Sequence, residues 1–320
     1  MLVSLVTAVY NRLDRTREFW RSLEQHPPPE PWEIVWVDDG STDGTRDWLR
    51  ALPAPRHRVL LQDGNRGYAA ANNAGARAAS GRILGLLNND LILTPGWFEP
   101  MAGVLDRRPA AGLVGNVQRN ATTGAVDHSA IYYQARGKPT HDRTLPAAPA
   151  DGARPVLAAT GACLLVTRAC FGQLGGFDEI FRNGCEDVDL CLRARAAGAQ
   201  NYVALTSVIR HHVSSSPGRS VHNARNTYLL LHRWREEIPA LSAASWADPA
   251  LRDRWESKLT GWAWLRARLS RSRLRAPGSD CPRWLRDAVV RRVVRELARG
   301  EKIFGPGPAD KKLAPLFVAG

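Results

Sequence analysis

Residues 33–44 read Glu-Ile-Val-Trp-Val-Asp-Asp-Gly-Ser-Thr-Asp-Gly, an apolar run that passes directly into acidic and turn-forming residues. A short run rich in β-branched residues predicts a buried strand over 33–37. Asp, Gly and Ser favour turns and helix starts, so we expect a helix over 45–52. A strand that leads through a polar turn into a helix is the repeating unit of a parallel sheet.

The same alternation of strand and helix continues on both sides of this stretch. It predicts an α/β fold with a mainly parallel, mixed sheet flanked by helices on both faces. The further strands are predicted over 2–9, 59–61, 83–87, 161–167 and 202–209, and the further helices over 14–25, 67–79, 168–174 and 186–197.

Two other regions break this alternation. Residues 116–155 carry many Gly, Pro, Thr and Ala with weak periodicity, which is typical of a loop-rich insertion. From Val221 onward the pattern is helical. We therefore predict an α/β domain over 1–215 and a helical C-terminal region over 216–320.

The composition excludes several classes of protein. Of 320 residues, 44% are hydrophobic and 23% charged, which is ordinary for a folded soluble protein. The five cysteines include no Cys-x-x-Cys pair, which argues against a disulfide scaffold and a zinc ribbon and favours reduced thiols in a cytosol. The apolar runs are too short for a spanning helix, and the first of them is too short for a signal peptide.

The basic charge is concentrated in the tail. The chain carries a net charge of +13, of which residues 251–320, with 17 Lys and Arg against 7 Asp and Glu, supply +10. A basic tail attracts polyanions such as nucleic acid, anionic lipid or phosphorylated carriers. Its interleaved Arg and Trp suit a helix on a bilayer surface, although a solvated helical face with core aromatics is the alternative. The tail also has an apolar face with a period of four residues, formed by Leu285, Val289, Val293 and Leu297.

Polar clusters follow three of the predicted strands, at residues 10–12, 38–39 and 88–90. Ligands of open parallel sheets bind beyond the carboxyl ends of the strands. A carboxylate there can accept the N3–H of a uracil or thymine ring, or hold a divalent cation that bridges two phosphates. These clusters favour a nucleoside-diphosphate site. The alternative is that Asp39 and Ser41 only cap the following helix.

Later segments offer further candidates. Asn72 lies on an Ala-rich helix where it can reach a nucleotide, although the small side chains of that helix serve close packing equally well. Residues 186–189 place three carboxylates at a helix start, where one of them can deprotonate a positioned hydroxyl or simply complement the helix dipole. Either His211 or His212 can be a metal ligand beside Asp90.

Taken in order, these motifs resemble those of family 2 glycosyltransferases. The resemblance spans residues 2–235, and its closest subgroup is similar to the rhamnosyltransferase-type enzymes of bacterial surface polysaccharide assembly. Each motif is weak alone, but seven in the right order are specific. They are residues 3–12, 37–45, 65–68 with 72–73 and 81, 87–90, 160–162, 175–179, and 186–190 with His212.

The resemblance implies a GT-A fold and an inverting transfer from a nucleotide-activated sugar. Asp187 would be the general base, with Glu186 positioning it or the acceptor. Asp39 would bind the base, Asp90 would coordinate Mg²⁺ or Mn²⁺ on the diphosphate, and His212 would approach the metal. The nucleotide-binding set implied in this way is Thr7, Ala8, Tyr10, Asn11, Arg12, Asp38, Asp39, Gly67, Asn72, Asn88 and Asn89.

The resemblance also implies partners. The donor would be dTDP-rhamnose or a UDP-sugar, and the acceptor a hydroxyl of a bacterial surface glycan or lipid-linked carrier. We expect a cytoplasmic protein, peripheral at the inner face of the membrane, with no nucleic-acid partner. One departure concerns the metal, because the family motif often has two carboxylates, whereas here Asn88 and Asn89 precede the single carboxylate of Asp90. Weaker metal binding, chiefly through the donor's phosphates, is expected.

Two other functions compete with this interpretation. A sugar-nucleotide nucleotidyltransferase would need a Gly-rich phosphate loop after the first strand, but residues 10–14 contain no Gly. A non-catalytic basic adaptor for membrane or nucleic acid fits the tail, yet it leaves the carboxylate clusters of the body unexplained.

Overall fold

The computed structural model describes residues 2–29, 31–53, 55–135, 137–212, 222–248, 251, 261–262, 264–265 and 281–307. These residues form two compact units. The first unit contains the described residues of 2–130 and 143–212. The second contains Ile131–Asp142 and the described residues between 222 and 307.

Strands and helices alternate through the first half of the chain, as predicted. Among the described residues the strands are β1 Val3–Val9, β2 Trp32–Asp38, β3 His57–Leu61, β4 Ile83–Leu87, β5 Leu91–Ile92, β6 Ala111–Asn120, β7 Val126–His128, β8 Ala130–Tyr133, β9 Pro139–Asp142, β10 Ala153–Val156, β11 Cys163–Thr167 and β12 Gln200–His211. The helices are α1 Leu13–Gln25, α2 Thr45–Arg50, α3 Tyr68–Ala78, α4 Glu99–Arg107, α5 Arg168–Gln173, α6 Glu186–Ala196, α7 Asn223–Arg233, α8 Ile238–Ala247 and α9 Arg283–Phe304.

One mixed sheet of ten strands organises the first unit, which confirms the predicted fold class. Its order is β10-β12-β6-β11-β4-β1-β2-β3, with β5 beside β12 and β7 beside β6. The four strands β4, β1, β2 and β3 are mutually parallel, and the registers Val9 to Asp38 and Val6 to Leu86 bring their carboxyl ends to one edge. Strand β11 runs antiparallel between β4 and β6.

Each face of this sheet is covered differently. On one face, Leu5 and Trp36 pack with Phe19 of α1 and Met101 of α4 in a core without solvent exposure. Full burial of side chains of this size contributes about 1.5–3 kcal/mol each. On the other face, α3 approaches so closely that a Cβ at Gly75 would lie 2.3 Å from Cγ1 of Val6. This close packing explains the small side chains of α3.

The prediction of a loop-rich insertion over 116–155 was wrong. Strand β6 enters this region and is followed by four further strands. Eight successive residues of β6 are buried, so the alternation that marks a half-exposed strand is missing. Its polar Asn116 and Gln118 are also buried, and Asn116 Nδ2 lies 3.4 Å from Ser207 Oγ of β12.

The second unit joins a hairpin of β8 and β9 to three helices. Ser245 of α8 accepts a hydrogen bond from the backbone N–H of Tyr133 at 3.2 Å, which ties the hairpin to that helix. The predicted apolar face of α9 is buried at Leu285, Val289 and Val293. Every helix among the described residues is too short or too polar to span a bilayer.

Candidate active site

The loop after β1 is held in a left-handed backbone conformation. Asn11 and Arg12 have φ values of 54° and 60°, which Asn tolerates better than most residues. The Asn11 backbone N–H donates to Ser41 Oγ at 2.8 Å, and Asn11 Oδ1 accepts from the Thr42 backbone N–H at 2.8 Å. Asn11 therefore fastens the loop after β2 to the loop after β1, while the neighbouring Tyr10 lies half exposed at the same edge.

Asp38 is fully buried and bonded within its own turn. Its carboxylate accepts backbone N–H groups of Gly40 at 3.2 Å and Ser41 at 3.1 Å, and it pairs with Arg46 Nε at 2.7 Å. These contacts give Asp38 a structural role at the end of β2, because they pair its buried carboxylate within the protein. Its assignment to the nucleotide-binding set stays a prediction.

Asp39 connects β2 to the start of α3. Its two carboxylate oxygens accept the backbone N–H groups of Arg66 and Gly67, each at 2.8 Å. Burial raises the pKa of Asp39 above its usual value, and the two hydrogen bonds oppose that shift. Asp39 thus does not cap the helix that follows it, and each oxygen keeps a second lone pair for a ligand.

Four parts of the first unit meet at the turn before β11. Gly161 donates its backbone N–H to Asp187 Oδ2 at 2.8 Å and accepts the Tyr68 hydroxyl on its carbonyl oxygen at 2.6 Å. One residue later, the Ala162 carbonyl accepts the backbone N–H of Asn88 at 2.9 Å. The loop after β4, the start of α3 and the start of α6 are therefore joined through three backbone groups of two successive residues.

The pKa of the Tyr68 hydroxyl is affected by nearby carboxylates. Burial raises its pKa well above the ordinary value, and the charges of Glu186, Asp187 and Asp90 add to that shift. The hydroxyl consequently stays protonated and donates its hydrogen bond to Gly161. Carboxylates from the start of α6 and from the end of β4 therefore act on the same atom.

The three carboxylates at the start of α6 have different surroundings. Asp187 is half-buried, and Oδ1 accepts the backbone N–H of Val188 at 2.8 Å. Asp189 is fully buried in an ion pair with Arg193 Nε at 2.7 Å. Glu186 is buried and accepts the backbone N–H of Gly184. Because Asp189 is buried and paired with Arg193, Asp187 is the better placed of the two aspartates to contact a substrate.

The backbone before α6 is strained. Asn183 and Cys185 have φ values of 55° and 70°, and such conformations are costly for residues with side chains. Asn183 Oδ1 accepts the backbone N–H of Tyr68 at 2.9 Å, which holds the segment against α3. Among the described residues, left-handed residues other than glycine thus occur in two loops, and both loops lie beside candidate site residues, as strained backbone often does.

The imidazole that lies beside Asp90 is that of His211, so the structure favours His211 over the predicted His212 as a metal ligand. His211 Nε2 lies 3.2 Å from Asp90 Oδ1. The His212 ring instead contacts Glu18 Oε2 and Arg15 Nη1 of α1, each at 3.0 Å, and only its backbone N–H reaches the Asp90 carbonyl, also at 3.0 Å. Strand β12 extends to His211, and successive residues of a strand point to opposite faces.

Several polar atoms of the expected nucleotide-binding set are buried without a hydrogen-bond partner among the described residues. They include the acceptor Oδ1 atoms of Asn72 and Asn88 and the hydroxyl oxygen of Thr7. Buried polar groups are nearly always bonded, so such atoms call for an explanation such as an absent ligand. Asn89 differs, because its amide donates to Thr16 Oγ1 of α1 at 2.9 Å.

Sequence reasoning missed two contributions. It noted Tyr68 only as part of a motif, although its hydroxyl links α3 to the turn that holds Asp187. It also assigned no role to Asn73, whose amide exchanges two hydrogen bonds of 2.9 Å with the Phe177 backbone and so fixes the Gly-Gly-Phe turn. The sequence showed that these residues belong to motifs, but it did not show that the motif of Tyr68 contacts that of Gly161, or that the motif of Asn73 contacts that of Phe177.

Substitution of Tyr68 tests its positioning role. Tyr68→Phe leaves the Gly161 carbonyl without its donor, and we expect a loss of about 1 kcal/mol in the free energy of unfolding. We expect a larger effect on turnover at this candidate active site, about tenfold or more in kcat, because small displacements of a reacting group are costly. In an Asp187→Asn background the same change should have little further effect on kcat, whereas additive losses would contradict the link through Gly161.

Comparison with known proteins identifies relatives of this chain. The family model described as glycosyl transferase family 2 matches residues 4–152. The O-antigen biosynthesis protein RfbC of Myxococcus xanthus is 31% identical over 224 residues, which is 67% of this chain and 17% of that protein. An N-acetylglucosaminyl-diphospho-decaprenol L-rhamnosyltransferase of Mycobacterium tuberculosis is 29% identical over 267 residues, covering 72% of this chain and 84% of that enzyme.

The relatives differ in length from this chain. It spans only 17% of the Myxococcus protein and 28% of an uncharacterized Sinorhizobium fredii protein. Among solved structures, GalNAc-T7 with UDP, GalNAc and Mn²⁺ superposes with a TM-score of 0.61 at 15% identity, over 86% of this chain and 58% of that one. This likeness shows the fold alone. Sequence relatives and fold agree, and the chain is therefore a member of glycosyl transferase family 2 with a GT-A fold, similar to bacterial rhamnosyltransferases.

Proposed function

We propose that this chain transfers a sugar, with inversion, from a nucleotide-diphosphate donor to a hydroxyl of a bacterial surface glycan or lipid-linked acceptor. The observation that carries the proposal is the convergence at Tyr68 and Gly161. Asp187 accepts the backbone N–H of Gly161, and the adjacent Ala162 carbonyl accepts the backbone N–H of Asn88, two residues before Asp90. Such a transfer needs a base for the acceptor and a carboxylate for the diphosphate, and this turn joins the two segments that carry them.

The general base in this proposal is Asp187. Its carboxylate is held in one orientation by the backbone N–H groups of Gly161 and Val188, and it keeps lone pairs for an acceptor hydroxyl. Asp187 takes the proton of that hydroxyl while the hydroxyl oxygen bonds to the anomeric carbon and the bond to the diphosphate breaks. One displacement inverts the anomeric centre, so no covalent nucleophile is required. Glu186, which holds the turn before α6, positions Asp187 or the acceptor.

The donor binds, in this proposal, along the carboxyl ends of β1, β2 and β4. Asn72 and Asn88 each present a buried Oδ1 acceptor without a partner among the described residues, which suits the donor groups of a nucleoside. Asp39 has lone pairs beyond its two backbone bonds and can accept a pyrimidine N3–H. The predicted contacts of Thr7, Ala8 and Tyr10 belong to the same edge of the sheet.

A divalent cation fits this site in part. Asp90 and His211 supply a carboxylate and an imidazole 3.2 Å apart, which suit Mn²⁺ or Mg²⁺. Among the described residues, no group of three or more His, Cys, Asp or Glu side chains is placed to hold a metal. Asp90 and His211 would therefore share a cation with the donor's phosphates, as the single carboxylate of the motif suggests. When bound, the cation stabilises the charge of the leaving diphosphate.

The identity of donor and acceptor follows from the relatives only as a proposal. The relatives are named for O-antigen biosynthesis and for rhamnosyl transfer to a decaprenol-linked diphosphate. We therefore favour dTDP-rhamnose, with UDP-sugars as the next candidates, and a surface-glycan or lipid-linked acceptor. Because nucleotide sugars are cytosolic, we expect the active site to lie in the cytoplasm.

Thermal stabilisation by nucleotides tests the proposed site. A ligand that binds only the folded chain stabilises it by about 2.7 kcal/mol at a hundredfold excess over Kd. We expect the melting temperature to rise with UDP, dTDP or GDP in the presence of Mn²⁺. His211→Ala should raise the apparent Kd for Mn²⁺ in this assay at least about tenfold, because loss of even an outer-shell partner of a metal ligand costs that much.

His212→Ala is the matched control, because it removes an adjacent imidazole but keeps the backbone N–H that contacts Asp90. It should retain the Mn²⁺-dependent shift. If His212→Ala loses that shift and His211→Ala keeps it, the ligand assignment returns to His212. If no nucleoside diphosphate shifts the melting temperature in the presence of Mn²⁺ or Mg²⁺, the proposed function is contradicted.

A further inference from the structure

The second unit carries most of the large apolar side chains that lie open to solvent. Ten such side chains are exposed among the described residues, and seven of them belong to this unit. Exposed apolar side chains that adjoin one another mark binding surfaces, whereas isolated ones are ordinary, so neighbouring members of this set are the informative ones. The seven are Trp262, Trp264, Leu265, Val290, Val294, Ile303 and Phe304.

Helix α9 has two apolar sides. Leu285, Val289 and Val293 are buried and hold the helix to its unit. Val290 and Val294, one turn apart, are 42% and 58% exposed, so a large part of each side chain faces solvent. Burial of one apolar stripe explains why the helix forms, whereas the second stripe is not needed for that packing among the described residues.

Positive charge surrounds the exposed valines. Arg291 and Arg295 each follow an exposed valine by one position, so the four side chains form two adjoining rows on the solvent side of the helix. We call Val290, Arg291, Val294 and Arg295 the outer face of α9. The helix exposes six basic residues and only two acidic ones. The acidic residues are Asp287 and Glu301, and the basic residues are Arg283, Arg286, Arg291, Arg295, Arg299 and Lys302.

We propose that the outer face of α9 binds the surface of an anionic phospholipid bilayer. Arginines beside exposed valines suit a helix that lies in the headgroup region, where the cations meet lipid phosphates and the apolar side chains reach the acyl chains. Trp262, 80% exposed in the same unit, has the side chain most favoured at that interface. The proposal concerns attachment alone and does not depend on the sugar-transfer chemistry.

Two other occupants fit less well. A second copy of the chain would bring the same cationic face against itself, and like charges repel. A nucleic acid would use the arginines, but its phosphates gain nothing from exposed Val and Ile side chains. An anionic bilayer is the occupant that uses both the charge and the apolar area of the outer face.

Vesicle binding of the full chain tests the proposal. We compare vesicles of phosphatidylcholine with vesicles in which one third of the lipid is phosphatidylglycerol. The unmodified chain should bind the anionic vesicles, and Arg291→Glu with Arg295→Glu should lower the partition coefficient at least about twentyfold, because each basic residue near such a surface is worth about fivefold. Val290→Ser with Val294→Ser should also weaken binding, because it removes apolar contact while keeping every charge.

The matched control is Arg17→Glu with Arg21→Glu on α1. These exposed arginines have the same spacing and give the same change in net charge, but they belong to the first unit. The control should bind vesicles like the unmodified chain, and all variants should keep its melting temperature. The proposal is overturned if anionic vesicles do not bind, if the control loses binding as strongly as the α9 variant, or if the α9 variant alters only self-association or RNA binding.

Discussion

Asp187→Asn should abolish most sugar transfer while leaving donor binding intact. Asn keeps the size and one acceptor oxygen of the original side chain, so the hydrogen bond from the Gly161 backbone can persist. It cannot take a proton from the acceptor hydroxyl. Loss of a general base costs about 10²–10⁴ in rate, and we expect kcat to fall within that range with little change in donor affinity. Initial rates of transfer and calorimetric donor binding measure the two quantities.

Glu186→Gln is the companion variant. If Glu186 only positions its neighbour or the acceptor, Glu186→Gln should reduce kcat less than Asp187→Asn does. Near-native turnover of the Asp187→Asn variant would show that Asp187 is not the general base. A full loss in Glu186→Gln alone would move that role to Glu186. Asp189 is not a substitute in either case, because its carboxylate pairs with Arg193 in the interior.

Asp189→Ala should produce the largest loss of stability among single changes in α6. Asp189 is fully buried, and Arg193, only 6% exposed, also donates to the Leu174 carbonyl at 2.6 Å. Removal of one partner leaves the guanidinium charge buried without its carboxylate. Such changes cost about 3–5 kcal/mol in the free energy of unfolding, which chemical denaturation would measure.

The control for this prediction is Asp47→Ala on α2. Asp47 pairs with Arg50 at 3.1 Å but is 83% exposed, so water screens the ion pair. We expect its removal to change the free energy of unfolding by less than about 1 kcal/mol. Asp189→Ala combined with Arg193→Met should recover part of the loss, since replacement of both charges removes the uncompensated one. Equal effects of Asp189→Ala and Asp47→Ala would contradict the buried-pair explanation.

The sequence predicted strands that are short apolar runs ending in polar residues. β1, β2 and β4 are of this kind, and the structure confirms each of them within two residues. β6 was not predicted because its buried residues include polar side chains, which interrupt the apolar run that marks a buried strand. The membership of β8 and β9 in the second unit depends on long-range packing, which no local pattern encodes.

The candidate site was predictable by residue type but not by orientation. Asp90 and Asp187 were recognisable from their places at a strand end and a helix start. The choice between His211 and His212 depends on how far β12 extends, because its pairing with β5 through Leu91 decides which ring faces Asp90. The role of Tyr68 depends on a hydrogen bond across 93 residues, which the sequence does not reveal.

A crystal structure of the chain with dTDP or UDP and Mn²⁺, with the metal located by anomalous scattering, tests the central claim most directly. The account predicts a manganese peak in contact with the Asp90 carboxylate and the His211 imidazole, the diphosphate on that ion, and the nucleoside beside Asn72 and Asn88. A nucleotide bound away from Asp90, with Asp187 remote from its phosphates, would contradict it.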